Sequence, residues 1–570
     1  MRLVRAGHLP CTSLICLGVL AFSGLNCSNS SKNNKTKEPP VTSGKTVSLF
    51  VTTELRGTIE PCGCNSDPLG DLARTAQLVS ELRKQHAVLH IDGGSNLFQT
   101  TEAIPKRLEA QENLKATLIR SSFTDTLKTS VTGLGPYDLA AGPSAIKRAR
   151  DAANVTNAAG IPLAPPRIID AGGIKVGVFG VVEKSAAYTR HKLVVTDPVA
   201  AAKKATADLR AKGAQVIVGV LHLTRVMAIR LARKAKGIDF VIVGKQAPEP
   251  DLVSIGPTKI GKTWVVQPAN RGQVVSRIDI TVRTSGRFAD AIGKARGAQL
   301  ITRLTNDSAA LAKKLDEWKK NNSSDPFFVK TKQTELAAMH KKLAGLKKNP
   351  VQIPAKGNYF VMQQVRIRKG LACNSAIQTA KLAYDKAAGA SNVKAAANYR
   401  PAMPAKGKAS YVGVEECGSC HRKAVNFWKK TKHYQAWRTL EDVGKQFNYD
   451  CTSCHVTGWD KPGGSTMGFN KKLRNVQCEQ CHGPGSIHVA EDGKDKPKTL
   501  TARPAITVCQ GCHNKEHSDT FDFKAYLRDV TGPGHGESFR KRLGKGAKGH
   551  ELRSAALKKA GAKIGAGCPK

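Results

Sequence analysis

Aromatic side chains are scarce: they make up 5% of the 570 residues, with 5 Trp, 9 Tyr and 16 Phe. Acidic residues are scarce too, 44 against 90 Lys and Arg, for a formal net charge of +46. Such a balance invites a nucleic-acid partner. The shortage of aromatics argues against a base-stacking surface, and the positive charge is spread along the chain rather than gathered in one stripe. Long apolar runs are missing. The stretch from Leu14 to Leu25 is too short to span a bilayer, and no later segment reaches that length. Methionine nearly vanishes from the last third, where Met467 is the only one after position 403.

What is present at the start looks like an export signal. Arg2 and Arg5 precede the apolar stretch, and Cys27 and a polar run to Lys37 follow it. The pattern resembles a bacterial lipoprotein leader with Cys27 as the lipidated residue. It departs from the usual pattern in having Gly24-Leu25-Asn26 before the cysteine. Cleavage near Ser23 is the other option. Both place the mature protein outside the cytoplasm, periplasmic or anchored to the outer membrane of a Gram-negative bacterium. Export removes nucleic acid from the partners.

Of 15 cysteines, eight fall in four copies of Cys-x-x-Cys-His. The copies are Cys417–Cys420–His421, Cys451–Cys454–His455, Cys478–Cys481–His482 and Cys509–Cys512–His513, all within 97 residues. This spacing attaches haem covalently: two thiols add across the two vinyl groups, and the following His ligates the iron. Structural zinc uses paired Cys-x-x-Cys and exported proteins use disulfides, but neither requires His after every second Cys. Four haem c groups are expected, with propionates that offset up to eight positive charges. Cys11 and Cys16 sit in the leader with Cys27; Cys62, Cys64, Cys373 and Cys568 remain.

Residues 48–285 alternate strand-like and helical patterns. Ser48–Val51, Ala87–Ile91, Ile174–Val182, Val216–Leu221 and Phe240–Val243 read as strands, and Leu72–Lys84 as an amphipathic helix. This is an α/β pattern. The segments Thr52–Gly57, Gly70–Ala76, Leu89–Phe98, Gly135–Asp138, Val220–His222 and Ile238–Lys245 resemble the calcineurin-like metallophosphoesterases, in particular the periplasmic 5′-nucleotidase branch. The resemblance implies a sandwich fold and a two-metal site. The residues here depart from that site. Asp-x-His is replaced by Glu54-Leu55-Arg56, the bridging Asp by Ser95, Asn-His by Gly135-Pro136, and Gly-His-x-His by Gly244-Lys245-Gln246-Ala247. Only His222 survives. Arg56 and Lys245 put cations where the metals would sit and repel a dication. No catalytic metal pair and no phosphoesterase activity are expected; an anion pocket is the remaining option. Beside this site, Cys62 and Cys64 have three readings: a metal or redox contact, a disulfide from one of them to Cys373, or plain structural use.

Residues 286–408 read as a helical spacer and linker. Leu300, Leu304, Leu311, Leu315 and Trp318 share one face; Leu336, Met339, Leu343 and Leu346 share another after the break at 321–326. A helical hairpin follows, then an Ala-, Pro- and Lys-rich linker over 395–408.

Residues 409–540 resemble the cytochrome c-554 family. The resemblance rests on Tyr411–Cys417, Lys429–Trp437, Val476–His488 and Phe521–Tyr526. It implies cross-ligation by distal histidines: His488 for the first haem, His433 for the third, one of His517, His535 or His550 for the fourth, and an open second haem on His455. Met467 allows His-Met ligation at most once.

The expected organisation is therefore multidomain. A signal (1–27) and polar tether (28–47) precede a metallophosphoesterase-like α/β sandwich (48–285). A helical hairpin spacer and linker (286–408), a mainly-α or irregular multihaem domain (409–540) and a basic tail (541–570) follow. The expected function is electron transfer with acidic redox partners, the membrane reached through the lipid anchor. The alternative is an oxidoreductase acting on a small nitrogen or sulfur species at a five-coordinate haem. No general acid/base constellation stands near His455, which favours the carrier without deciding whether the protein is an enzyme.

Overall fold

Strands that are apolar on both faces build the middle of two six-stranded sheets. This computed structural model describes residues 44–61, 64–245, 256–321, 325–469, 471–496, 498–514, 517–561 and 568. The expected export leader with Cys11, Cys16 and Cys27, the expected tether up to 43, Cys62 and the Gln246-Ala247 pair lie outside the described residues.

The first sheet runs in the order Phe288–Ala291, Asn358–Arg366, Val274–Val282, Lys45–Thr52, Ala87–Asp92, Val131–Thr132. Lys45–Thr52 pairs in parallel with Ala87–Asp92 and antiparallel with Val274–Val282. The second runs Thr258–Ile260, Thr263–Val266, Phe240–Val243, Val216–His222, Lys175–Val182, Arg167–Asp170, parallel in its middle with antiparallel edges.

Successive side chains of a strand point to opposite faces, and that alternation builds the layers. Val47, Leu49 and Val51 meet Val176, Val178, Val218 and Ile242 between the sheets. Phe50, out of phase with them, packs with Ala76 and Val79 of helix Leu72–Arg83 and with Ile377 and Tyr384 of helix Ser375–Ala396. On the far side, Ile217, Val241 and Val265 pack against Ala202 and Leu209 of helix Pro198–Ala211 and against Leu231 of helix Arg225–Lys234. The result is four layers: helices, sheet, sheet, helices. Each fully buried aliphatic contributes on the order of 1.5–3 kcal/mol. Caps fix where the helices begin. Asp71 accepts from the Ala73 N–H at 2.8 Å, and Asp197 accepts from Val199 and Ala200 ahead of Pro198.

The boundaries differ from the sequence reading in two regions. The expected spacer is not outside the sandwich: Phe288–Ala291 and Asn358–Arg366 are strands of the first sheet, and helix Ser375–Ala396 covers it. The helical hairpin, Lys294–Asn321 and Pro326–Lys348, is an insertion between these two strands, with Trp318 edge-on to Phe328 at 5.2 Å. The expected basic tail is structured as well. Helices Glu537–Leu543 and Gly549–Ala560 lie in its region, and Cys568 is disulfide-bonded to Cys373 across 195 residues. That bond removes the suggested pairing of Cys373 with Cys64 or Cys62.

The segment after 409 has short helices and little else. Among the described residues, no helix is long and apolar enough to cross a membrane.

Candidate haem centre

Each attachment pair is presented by a helical turn. Cys417 and Cys420 lie on Val414–Cys420, Cys478 and Cys481 on Cys478–His482, Cys451 on Tyr449–Thr452 and Cys509 on Ile506–Gln510. Residues three apart share a helix face, so both thiols can reach one edge of a porphyrin. All four motifs line one cavity of about 3010 Å³, with His433, His488, His517, His535 and His550. Sites for a single small ligand are roughly 300–1,000 Å³, so this space suits several large groups.

The histidines meet in pairs. The rings of His421 and His488 stack nearly parallel, 16° apart, with centroids 6.3 Å apart. Those of His433 and His513 lie 6.2 Å apart at 39°. Imidazole nitrogens bind metal at about 2.0–2.1 Å, so a shared metal ion requires ring centres about 6 Å apart. Both pairs match that gap. His535 lies close enough to His482 for their charges to oppose each other.

The other ring nitrogen of several of these histidines is already engaged. His455 Nδ1 lies 2.5 Å from the Ala436 carbonyl, and His482 Nδ1 lies 2.7 Å from that of Thr501. His513 Nδ1 lies 3.1 Å from Ser518 Oγ, and His488 Nδ1 lies 3.0 Å from Asp495 Oδ1. A proton held on Nδ1 leaves the Nε2 lone pair for iron, which is how outer-shell partners orient metal-binding imidazoles. Asp495 is itself held: the Thr499 N–H, with help from His488, Thr499 Oγ1 and Lys498, keeps its carboxyl well below the usual range. Burial, and then the charge of His513, push His433 down to about 4, so its ring stays neutral. Burial also lowers His513 and His535. The donor set fits haem.

His535 is the exception in tautomer. Its Nδ1 accepts from the Gly532 N–H at 3.3 Å, which puts the ring proton on Nε2. Iron binding through Nε2 requires that proton to move to Nδ1 and that weak bond to be given up. His550 is fixed by Asp529, with Nδ1 2.6 Å from Oδ1, and its side chain is 62% exposed. His517 takes part in a turn, its N–H donating to Asn514 Oδ1 at 3.0 Å.

The family resemblance implies His433 for the third haem, on His482, and one of His517, His535 or His550 for the fourth. The structure places His433 against His513 of the fourth motif, and the charge of His482 of the third reaches His535. Sequence distance is a poor guide here because the ligands are supplied by turns that cross between motifs. Asp495 is absent from the sequence reading; its one legible signal is its place in a polar turn seven residues after His488.

The thiols of different motifs also meet. Cys417 lies near Cys478, Cys454 near Cys512, and Cys481 near Cys509. First and third motifs therefore adjoin, second and fourth adjoin, and third meets fourth.

Residues 416–483 match the cytochrome c554 and c-prime family model. The span includes three attachment motifs and stops before the fourth. Over 93 residues the chain is 36% identical to cytochrome c-554 of Nitrosomonas europaea, covering 14% of this chain. The chain spans 40% of that relative's length. The solved reduced state of Nitrosomonas europaea cytochrome c554 is similar over 24% of this chain and 96% of its own, at 23% identity and a TM-score of 0.20. A 5′-nucleotidase precursor from Thermus thermophilus is similar over 70% of this chain and 68% of its own, at 18% identity and a TM-score of 0.40.

Away from the haem motifs, the positions compared above with metal ligands form a closed polar knot. Glu54 ion-pairs with Arg56, and His222 Nε2 stands 3.3 Å from Glu54 Oε1 and 3.0 Å from Ser95 Oγ. Burial opposes ionisation of Glu54, but His222 and Arg56 outweigh it and hold the carboxyl below its usual value. Ser95 and Asn96 N–H groups are taken by Asp138, and Lys245 pairs with Glu183. Glu54, Arg56 and Ser95 all keep positive φ, at 45°, 48° and 58°. A Cβ at Gly135 would lie 2.0 Å from Ser95 Oγ, so no side chain fits there. Strained backbone clusters at sites, and here it persists with the acid neutralised from within.

Proposed function

We propose that this protein is an extracytoplasmic tetrahaem c-type cytochrome that carries electrons. The parallel His421–His488 pair at 6.3 Å supports the reading most directly, because it suits an iron ligated on both faces. Such ligation fills the iron's coordination sphere and favours outer-sphere transfer. The contacts among motif thiols favour a relay ordered first, third, fourth, second. The excess of Lys and Arg suits an acidic redox partner, and Cys27 is read as the membrane anchor. The α/β body is read as non-hydrolytic, because Arg56 occupies Glu54 and Lys245, paired with Glu183, stands as a cation where a metal ligand would be.

The test is a pyridine haemochrome count on protein made in a host competent for c-type maturation. Four haems per chain are expected; two or fewer would overturn the reading. Carbon monoxide titration of the reduced protein separates the carrier from a small-molecule oxidoreductase. Binding at about one haem in four is what an open haem on His455 requires and keeps the oxidoreductase as an alternative; no binding leaves only the carrier.

A further inference from the structure

The segment that leads into the second attachment motif is fastened to the α/β body. We infer that this body forms one wall of the haem chamber, and that Gln111, Lys115 and Asn392 are positioning residues for the second haem. The inference rests on the haem reading above.

Lys115 is 1% exposed, and its ammonium lies 2.8 Å from both Glu112 Oε1 and Asp450 Oδ2. Asp450 is the residue before Cys451. Gln111 is 0% exposed; its Oε1 accepts the Tyr449 N–H at 3.0 Å and the Asn392 amide at 2.7 Å. The Asn392 amide also donates to the Phe447 carbonyl at 2.8 Å. Residues 447–450 are thus held at three points by helices Glu109–Ser121 and Ser375–Ala396.

Each hold is hard to release. Parting Lys115 from Asp450 weakens the compensation of a buried ammonium. Parting Gln111 from Tyr449 leaves the half-buried Tyr449 N–H without its acceptor. The first motif is fastened differently. There the Gly413 and Val414 N–H groups donate to Glu479 and Gln477, both within the haem segment. Anchoring to the body at the approach to Cys451 therefore sets the helical turn that carries one thioether, and with it the direction from which His455 meets its iron. Orientation and outer-shell contacts tune a bound metal, so through these contacts the body acts on the second haem and not on the first.

The test uses the full-length, haem-loaded protein with Lys115→Met and, separately, Asn392→Ala. Potentiometric titration followed by EPR resolves the haems, and hydrogen exchange reports on 447–455. The expected result is an unchanged haem count, a shift in about one quarter of the signal, and exchange at 447–455 faster by tenfold or more, with 478–482 unaltered. Lys115→Arg should return both readouts towards wild type. Gln99→Ala removes only an exposed 3.1 Å bond to Asp450 and gives a smaller change of the same kind if Lys115→Met does not fold. Wild-type exchange and spectra in the folded variants would overturn the inference, as would equal movement of all four signals. A wild-type haem count of two or fewer would overturn the tetrahaem reading instead, and exchange at 447–455 would still decide this one.

Discussion

Asp495 Oδ1 accepts the His488 Nδ1–H at 3.0 Å, and the residue whose carboxylate does so is 1% exposed. A carboxylate behind an imidazole makes the ring a stronger donor and so stabilises ferric over ferrous iron. Asp495→Ala should therefore raise the potential of one haem, by up to about 60 mV for a tenfold change in a one-electron couple. Haem content should not change if, as proposed, that haem is attached through Cys417 and Cys420. Potentiometry of the variant checks this, and a fall in potential would contradict it. The folded Asp495 carboxyl is held low, so this hydrogen bond persists above the ordinary carboxylate range near ~4 and is lost only as pH falls well below it.

His433 sets the other acid limit. Its folded value is pushed down to about 4 by burial, whereas an unfolded His titrates near ~6.5. Below the unfolded value the unfolded chain binds more protons, so stability should fall as pH drops from about 6.5 towards 4. The slope from this one group approaches ~1.4 kcal/mol per pH unit. Urea midpoints at pH 7 and pH 5 measure it. His433→Ala should flatten that dependence and turn one low-spin haem high-spin by EPR.

The disulfide between Cys373 and Cys568 closes a loop of 195 residues. Chain-entropy reasoning puts its contribution at about 5 kcal/mol, and native bridges more often give ~2–5. Cys373→Ser should lower thermal stability and loosen the C-terminal helices in hydrogen exchange. A variant as stable as wild type would show that the loop is already closed by the surrounding contacts.

Nucleotide hydrolysis by the α/β body should be negligible. Phosphate release with Mn²⁺ or Zn²⁺ at ~1 s⁻¹ or more, within the usual range of enzymes, would mean that Glu54 exchanges Arg56 for a metal. Arg56→His with Ser95→Asp is the more demanding variant. If it binds metal where wild type does not, the guanidinium is what now fills the site.

The strands over Val216–His222 and Phe240–Val243 were legible because a strand buried on both faces reads as an unbroken apolar run. Asn358–Arg366 was not, since it follows a long helical insertion and mixes Gln363 and Gln364 into its pattern. The attachment motifs were legible because their chemistry is local. The candidate distal histidines were legible as residues but not as partners: which ring faces which depends on how turns separated by 67 to 80 residues cross, as with His421–His488 and His433–His513. Lys115 and Asp450 carried no signal at all, because opposite charges 335 residues apart look like any two surface charges.

The bridge from Cys373 to Cys568 also sets a problem of timing during biogenesis. All eight thiols meant for haem lie between its two ends, and Cys568 is translated after every one of them. An exported chain meets an oxidising compartment as it emerges, where neighbours such as Cys417 and Cys420 are the easiest to join. If this chain is exported as proposed, ligation of the porphyrins must outrun thiol oxidation, or a reductant must keep the motifs open until they are filled. That bond ties residues after the fourth motif back to the α/β body, so if it closes after the haems are attached it seals a loaded molecule.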